Sequence, residues 1–298
     1  MNTTTPLTSS VVQLACGSPL NWQQFHGHFA LRRLAGVERL TPLGYTRSFR
    51  LGERGGWFGV RPLAGQNTLE LSVGPGCADL IDQLSAQVRR MFDLDAELET
   101  ILTHLRRDPL LAELIARAPS LRLPMAFDPF EQAVRAIVGQ QVTVKAAVTI
   151  TGRLVQRLGT PLTQTPDGEP MWLFPTPQAL ADDVLANIGM PGKRAQTLRN
   201  FARAVACGEL RLTIDEGVET LVERLCALPG IGPWTAEYIA LRAFGAADAF
   251  PTADLGLLKA PLWGSAGIRP RALAERAECW RPWRAYAAVY LWHSYAED

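Results

Sequence analysis

At 298 residues the chain can form one large domain or two to three smaller ones, each with a real core. Its formal charge of +1, from 30 Lys+Arg against 29 Asp+Glu, excludes a uniformly polycationic protein, so any nucleic-acid-binding surface must come from local segregation of charge. Apolar and charged contents of 47% and 20% are those of a soluble globular protein, no uninterrupted apolar run is long enough for a bilayer, and five scattered cysteines without a C-x-x-C spacing argue against zinc or iron–sulfur sites and for reduced thiols in the cytoplasm.

Residues 1–10 are rich in Thr and Ser, lack the features of a signal peptide, and are expected to be disordered. Residues 11–92 read as an α+β domain. Asn21 can cap a helix carrying Trp22, Phe25, Phe29 and Leu34. Leu43, Tyr45, Arg47, Phe49 and Leu51 then alternate with small or polar residues at strand period. The turns GERGG and GQN set off WFGVRPL and TLELSV, which predicts a small antiparallel sheet. From Cys77 the period becomes helical, with Leu80, Ile81, Leu84, Val88, Met91 and Phe92 on one face.

Residues 93–298 read as a mostly α-helical region of two subdomains with a cleft between them. Asp108-Pro109 and Asp128-Pro129 each place a cap before a proline at the first helical position. A helix is expected over residues 142–158 and a Pro-rich, polar loop over 159–177. GMPGKRAQTL, with Lys193 and Arg194, reads as an ordinary interhelical turn or as a second Gly/Pro turn that approaches a phosphate.

The segment 221–245 then gives helix, tight hairpin, helix. Leu221, Leu225 and Leu228 precede a break at Pro229-Gly230. Gly230 and Gly232 bracket Ile231, and Pro233 suits the start of the next helix. Bare N–H groups at such a hairpin form an anion site suited to phosphate. Asp254 follows, and it can be read either as a helix N-cap before LGLLKAPLW or as a chemical acid. Five arginines between 269 and 284 read as a solvated helix face or a basic patch. In the last helix Trp283, Tyr286 and Tyr290 share a core-facing line, and Trp292 lies off it.

LPGIGPWTAEYIALRAFG followed by an Asp resembles the helix-hairpin-helix DNA glycosylase superfamily. PLNW, DPFEQAVRAIVGQQVTVKAA, GMPGKRAQTL and RPWRAYAAVYLWHSY extend the likeness, in order, to its DNA-3-methyladenine glycosylase II (AlkA-type) branch over nearly the whole chain. The resemblance implies a hydrolase of base-excision repair. Such an enzyme flips an alkylated base such as 3-methyladenine out of double-stranded DNA and cuts its N-glycosidic bond. Asp254 matches the family's catalytic acid, which would stabilise an oxocarbenium-like sugar and orient water. Trp234, Tyr238 and Trp292 match pocket aromatics able to attract a cationic base; His28 stands where a relative has a pocket aromatic and reads equally as a surface histidine, and Leu255 with Gly256 replaces a bulkier pair at a further substrate-binding position.

Gln140 and Gln141 match a loop that probes the minor groove, with Gln141 where a relative has an apolar wedge. Gly230, Ile231, Gly232 and Thr235 match the DNA-contacting hairpin. The carbonyls of Cys226, Leu228 and Ile231 match ligands of a structural Na+ or K+, and no organic cofactor is implied. Bifunctional relatives carry a lysine where Trp234 stands, so Schiff-base chemistry is not expected and the abasic site is left intact. A cytoplasmic monomer associated with DNA is expected. Two other readings stay open at this point: a non-catalytic damage-sensing helix-hairpin-helix protein, and a glycosylase for oxidised or mismatched bases.

Overall fold

The computed structural model describes residues 10–296. The disorder expected over 1–10 lies outside these residues except at Ser10, which opens a strand. That strand, β1 (Ser10–Ala15), is followed by α1 (Trp22–Arg32), whose N-terminus is capped by Asn21. β2 (Glu38–Thr41), β3 (Gly44–Leu51), β4 (Arg54–Pro62) and β5 (Thr68–Val73) complete an antiparallel sheet of order β1-β5-β4-β3-β2. The inward residues Tyr45, Phe49, Phe58, Val60, Leu69 and Leu71 pack with Phe25 and Phe29 of α1 and with Leu84 and Val88 of α2 (Ile81–Met91). Leu34, read as part of α1, falls beyond its end and packs instead with Val37 and Val155.

Helices α3 (Leu98–Leu105), α4 (Pro109–Arg117), α5 (Pro129–Val138) and α6 (Val144–Leu158) follow, the second and third opened by their Asp-Pro caps. The segment expected as a loop over 159–177 holds a hairpin, β6 (Thr160–Leu162) against β7 (Met171–Leu173). Its strands are too short to show a period. What fixes them is tertiary: the Trp172 carbonyl accepts the Ser48 hydroxyl at 2.6 Å, and the Trp172 N–H donates to Gly36 O at 2.8 Å.

The remaining elements are α7 (Pro177–Asp182), α8 (Gly192–Ala206), α9 (Val218–Cys226), α10 (Pro233–Phe244), α11 (Leu255–Leu258), α12 (Pro270–Ala277) and α13 (Arg284–His293). Helices α5, α8, α10 and α13 share one apolar core, in which Phe130 and Phe201 stack with ring centroids 5.6 Å apart. No helix among the described residues is long and apolar enough to cross a membrane.

The sheet and the helices are joined by buried charge. Arg47 of β3 reaches Glu131 of α5 at 2.6 Å, and Arg135 of α5 reaches Glu38 of β2 at 2.8 Å and also pairs with Glu131. Tyr45 donates to Glu38 at 2.7 Å. Burial alone would raise the Glu38 carboxyl, but Arg135 and Arg47 outweigh it and hold its pKa below the ordinary value. Arg135 also donates to Arg32 O at 2.8 Å, which pins the end of α1.

A second buried acid, Asp93, behaves oppositely. It accepts Leu123 N–H at 3.0 Å and the Tyr286 hydroxyl at 3.1 Å, yet burial pushes its pKa from 3.8 up to about 6. An acid whose folded pKa exceeds its unfolded one lends stability that is full below the unfolded value and is lost as pH rises through the folded value. The native chain should therefore lose stability between about pH 4 and 7 relative to Asp93→Asn, by on the order of 3 kcal/mol. Thermal melts of both proteins across that range check it, and parallel pH profiles would contradict it.

Candidate active site

The hairpin between α9 and α10 turns at Gly230, whose φ of 91° is left-handed backbone that favours glycine. A Cβ there would also run into the Thr197 side chain of α8. Gly232 differs from the reading that paired it with Gly230. Its φ of −99° suits any residue, and a Cβ would meet nothing within 4 Å. Gly232 thus leaves the backbone bare toward solvent at the start of α10, where first-turn N–H groups lack intrahelical acceptors. Ile231 turns its side chain into the core, and its N–H donates to Leu228 O at 3.1 Å across the turn.

Gln140 and Thr235, both expected at the DNA-contacting surface, are bonded to each other. The Gln140 amide donates to Gly230 O and to the buried Thr235 hydroxyl, both at 3.0 Å, so it braces the hairpin from the α5–α6 loop. Thr235 has only its backbone N–H to offer a ligand. Gln141, by contrast, is exposed and carries a left-handed φ of 55°, a strained conformation for a residue with a Cβ.

Between the hairpin, the α5–α6 loop and α1 opens a cleft of about 1100 Å³. Asp254 stands on its wall, half-buried. The structure gives it both roles that sequence left open, since it is the N-cap of α11 and it lines the cleft. Its Oδ1 accepts Leu257 N–H at 3.1 Å and the Trp292 indole N–H at 2.9 Å, and its Oδ2 accepts the Trp234 indole N–H at 3.0 Å. Gly256 makes this closeness possible: a Cβ there would lie 3.1 Å from the Trp292 ring. Glu237 accepts Phe250 N–H at 3.0 Å and so ties the loop before Asp254 to α10.

Trp234 stacks on Tyr238 with centroids 5.6 Å apart, and Tyr238 meets Trp292 edge-on at 6.1 Å. Leu255 is exposed at the cleft, and His28 lines the same space from α1. The expected pocket residues therefore converge. Two arginines join them that sequence reading did not single out. Arg242, almost fully buried, lies with its guanidinium 4.5 Å from the Trp292 ring centroid and 5.9 Å from that of Tyr238. Burial lowers its pKa to about 10. Arg32 lines the cleft four residues after His28. Burial would raise the Tyr238 hydroxyl, but Arg32 and Arg242 together bring its pKa below the ordinary value.

Arg242 alters the expected cation–π cage, because a protein guanidinium already covers the Trp292 ring. Trp234 is left as the indole most open to a charged ligand. No lysine lines the cleft. The arginine-rich segment 269–284 is largely spent on internal pairs: Arg276 reaches Asp108 at 2.6 Å, Arg284 reaches Asp248 at 2.9 Å, and Arg281 pairs with Asp248 and Glu278.

Comparison with known proteins gives the following likenesses. Residues 11–128 match the AlkA N-terminal domain, and residues 134–285 match the HhH-GPD superfamily base excision DNA repair protein model. DNA-3-methyladenine glycosylase 2 of Escherichia coli is 36% identical over 279 residues, covering 93% of this chain and 94% of that protein. A probable bifunctional transcriptional activator/DNA repair enzyme AlkA of Mycobacterium tuberculosis is also 36% identical, over 94% of this chain and 56% of its own length. Among solved structures, a 3-methyladenine DNA-glycosylase from Archaeoglobus fulgidus superposes with a TM-score of 0.82 at 22% identity, over 95% of this chain and 97% of the other.

Proposed function

The chain belongs to the HhH-GPD superfamily of base excision DNA repair proteins and is a DNA glycosylase of the DNA-3-methyladenine glycosylase II type; we propose that its substrate is an alkylated base flipped out of duplex DNA and that Asp254 carries the hydrolysis. One observation supports this above others: the Asp254 carboxylate on the cleft wall is fixed by the indole N–H groups of two of the pocket's own tryptophans. A base stacked against Trp234 would bring its sugar to Asp254.

Three N–H donors fix the orientation of this carboxylate. As the glycosidic bond lengthens, positive charge develops on the sugar, and a preorganised carboxylate stabilises it without reorganising. The same group can orient the water that completes hydrolysis. Since no lysine lines the cleft, no amine is placed to form a Schiff base, and the product is an intact abasic site.

Gly230 and Gly232 leave backbone N–H groups for phosphate, while the exposed Gln141 would enter the space left by the flipped nucleotide. The carbonyls of Cys226, Leu228 and Ile231 are neutral oxygen donors whose chemistry fits a Na+ or K+ at the hairpin. Among the described residues no cluster of His, Cys, Asp or Glu offers a site to a transition metal. Such an ion would brace the hairpin on DNA.

The test is release of free base from randomly methylated duplex DNA. Native protein is expected to release 3-methyladenine, and its affinity for an abasic duplex should fall steeply as salt rises. Absence of any released base would remove the alkylated-base reading, and a salt-independent affinity would remove the phosphate clamp.

A further inference from the structure

Arg242 is a buried charge that no carboxylate neutralises. It is 4% exposed and lines the cleft that holds Asp254. Its Nη1 donates to Pro124 O at 3.0 Å, its Nε has no partner, and among the described residues it makes no ion pair. Its other neighbours are the Tyr238 hydroxyl and the Trp292 and Tyr238 rings. Where the fold buries Arg47, by contrast, it supplies Glu131 and Glu38. A guanidinium kept in this state is costly, and methionine would fill a similar volume without that cost.

Trp292 sets the place of Arg242 relative to Asp254. The guanidinium lies 4.5 Å from the Trp292 ring centroid, and the N–H of the same indole donates to Asp254 Oδ1 at 2.9 Å. One side chain thus separates a fixed cation from a fixed anion on the cleft wall. Burial lowers the Arg242 pKa to about 10, so the group stays charged at neutral pH. A cage built only to hold a cationic base would gain nothing from a cation of its own.

Resting on the reading of this cleft as the pocket of a flipped alkylated base, we propose that Arg242 is a leaving-group residue, whose fixed charge drives the base away from the sugar held at Asp254. As the bond between C1′ and the base nitrogen breaks, its electron pair goes to that nitrogen. A cationic methylated base leaves neutral, and the positive charge passes to the sugar. Water then adds at C1′ and gives up a proton. A fixed cation on the base side raises the energy of the charged base and spares the neutral one. It lowers the barrier to departure while weakening the hold on the substrate, the reverse of what a cation–π contact does.

The experiment follows methylated purines released from randomly methylated duplex DNA with enzyme in excess. It reads the rate at saturation and the half-saturating enzyme concentration. Arg242→Gln removes the charge and keeps a donor for Pro124 O. Its saturated rate should fall roughly tenfold or more, with half-saturation unchanged or lower. Arg242→Met, a second neutral variant, should behave alike, and Arg242→Lys should recover most of the loss. A partly unfolded preparation raises the apparent half-saturation and leaves the saturated rate of the folded fraction in place, so misfolding cannot mimic this pattern.

A neutral variant with the native saturated rate would overturn the proposal. So would a lysine variant as slow as the glutamine one, which would assign the effect to guanidinium shape instead of charge. In both cases the native chain still releases methylated purines, and the alkylated-base reading stands. A native chain that releases none would overturn both.

Discussion

Asp254→Asn is expected to slow base release by on the order of 10³-fold or more while leaving affinity for an abasic duplex within a few fold. Asparagine can still cap α11, because its carbonyl oxygen can accept Leu257 N–H and the Trp292 indole N–H. Two things are lost. The negative charge beside the sugar disappears, and the amide nitrogen meets the Trp234 indole N–H, donor against donor, where Oδ2 now accepts at 3.0 Å. Neither change touches the hairpin, so the DNA clamp should persist. Single-turnover release and a binding titration on the same variant separate chemistry from grip. A variant within tenfold of the native rate would remove Asp254 from the catalytic role.

The second large effect separates the two hairpin glycines. Gly230→Ala must hold a left-handed φ of 91° with a Cβ and must displace Thr197, at a combined cost on the order of 2–4 kcal/mol. Adding Thr197→Ala should recover the steric part of that loss and leave the backbone part. Gly232→Ala faces no atom within 4 Å and needs no unusual φ, so its melting temperature should match the native chain. Its affinity for duplex DNA should nonetheless fall about tenfold, because a methyl group would stand between backbone and phosphate. Thermal melts paired with binding isotherms check both. A Gly232→Ala variant that binds normally would mean that the strand does not approach the backbone there.

Much of this site is legible along the chain because its chemistry is local. Trp234 and Tyr238 are one helical turn apart, Asp254 precedes a short helix, and Pro229-Gly230 marks the turn. The sheet is legible for the same reason: Tyr45, Arg47 and Phe49 alternate over a strand long enough to show its period. What escapes notice depends on contacts distant in sequence. Arg242 reads as a basic residue near a helix C-terminus, a common and solvated place for one. The missed signal is its register, since 234, 238 and 242 form a single line of four-residue steps, which puts Arg242 on the pocket face. Arg32 repeats this relation with His28.

The bracing by Gln140 could not be read at all. Nothing in GQQ distinguishes the glutamine that holds Gly230 O from the exposed neighbour beside it. The β6–β7 hairpin was invisible because its pairing is imposed by the sheet it leans on.

The ionic joint between the sheet and α5 bears on how such a protein can change over evolutionary time. Glu38, Arg47, Glu131 and Arg135 come from three separate elements, and Arg135 also holds the end of the helix that carries His28. Losing one member strands a buried charge, a penalty of several kcal/mol that a chain of ordinary stability would scarcely survive. Drift at these four positions is thus confined to concerted replacements, and removing the sheet with its helix would also remove the α1 wall of the pocket. Lesion preference can diversify at the rim, at His28, Gln141 or Leu255, because the frame beneath those positions is inherited as a block.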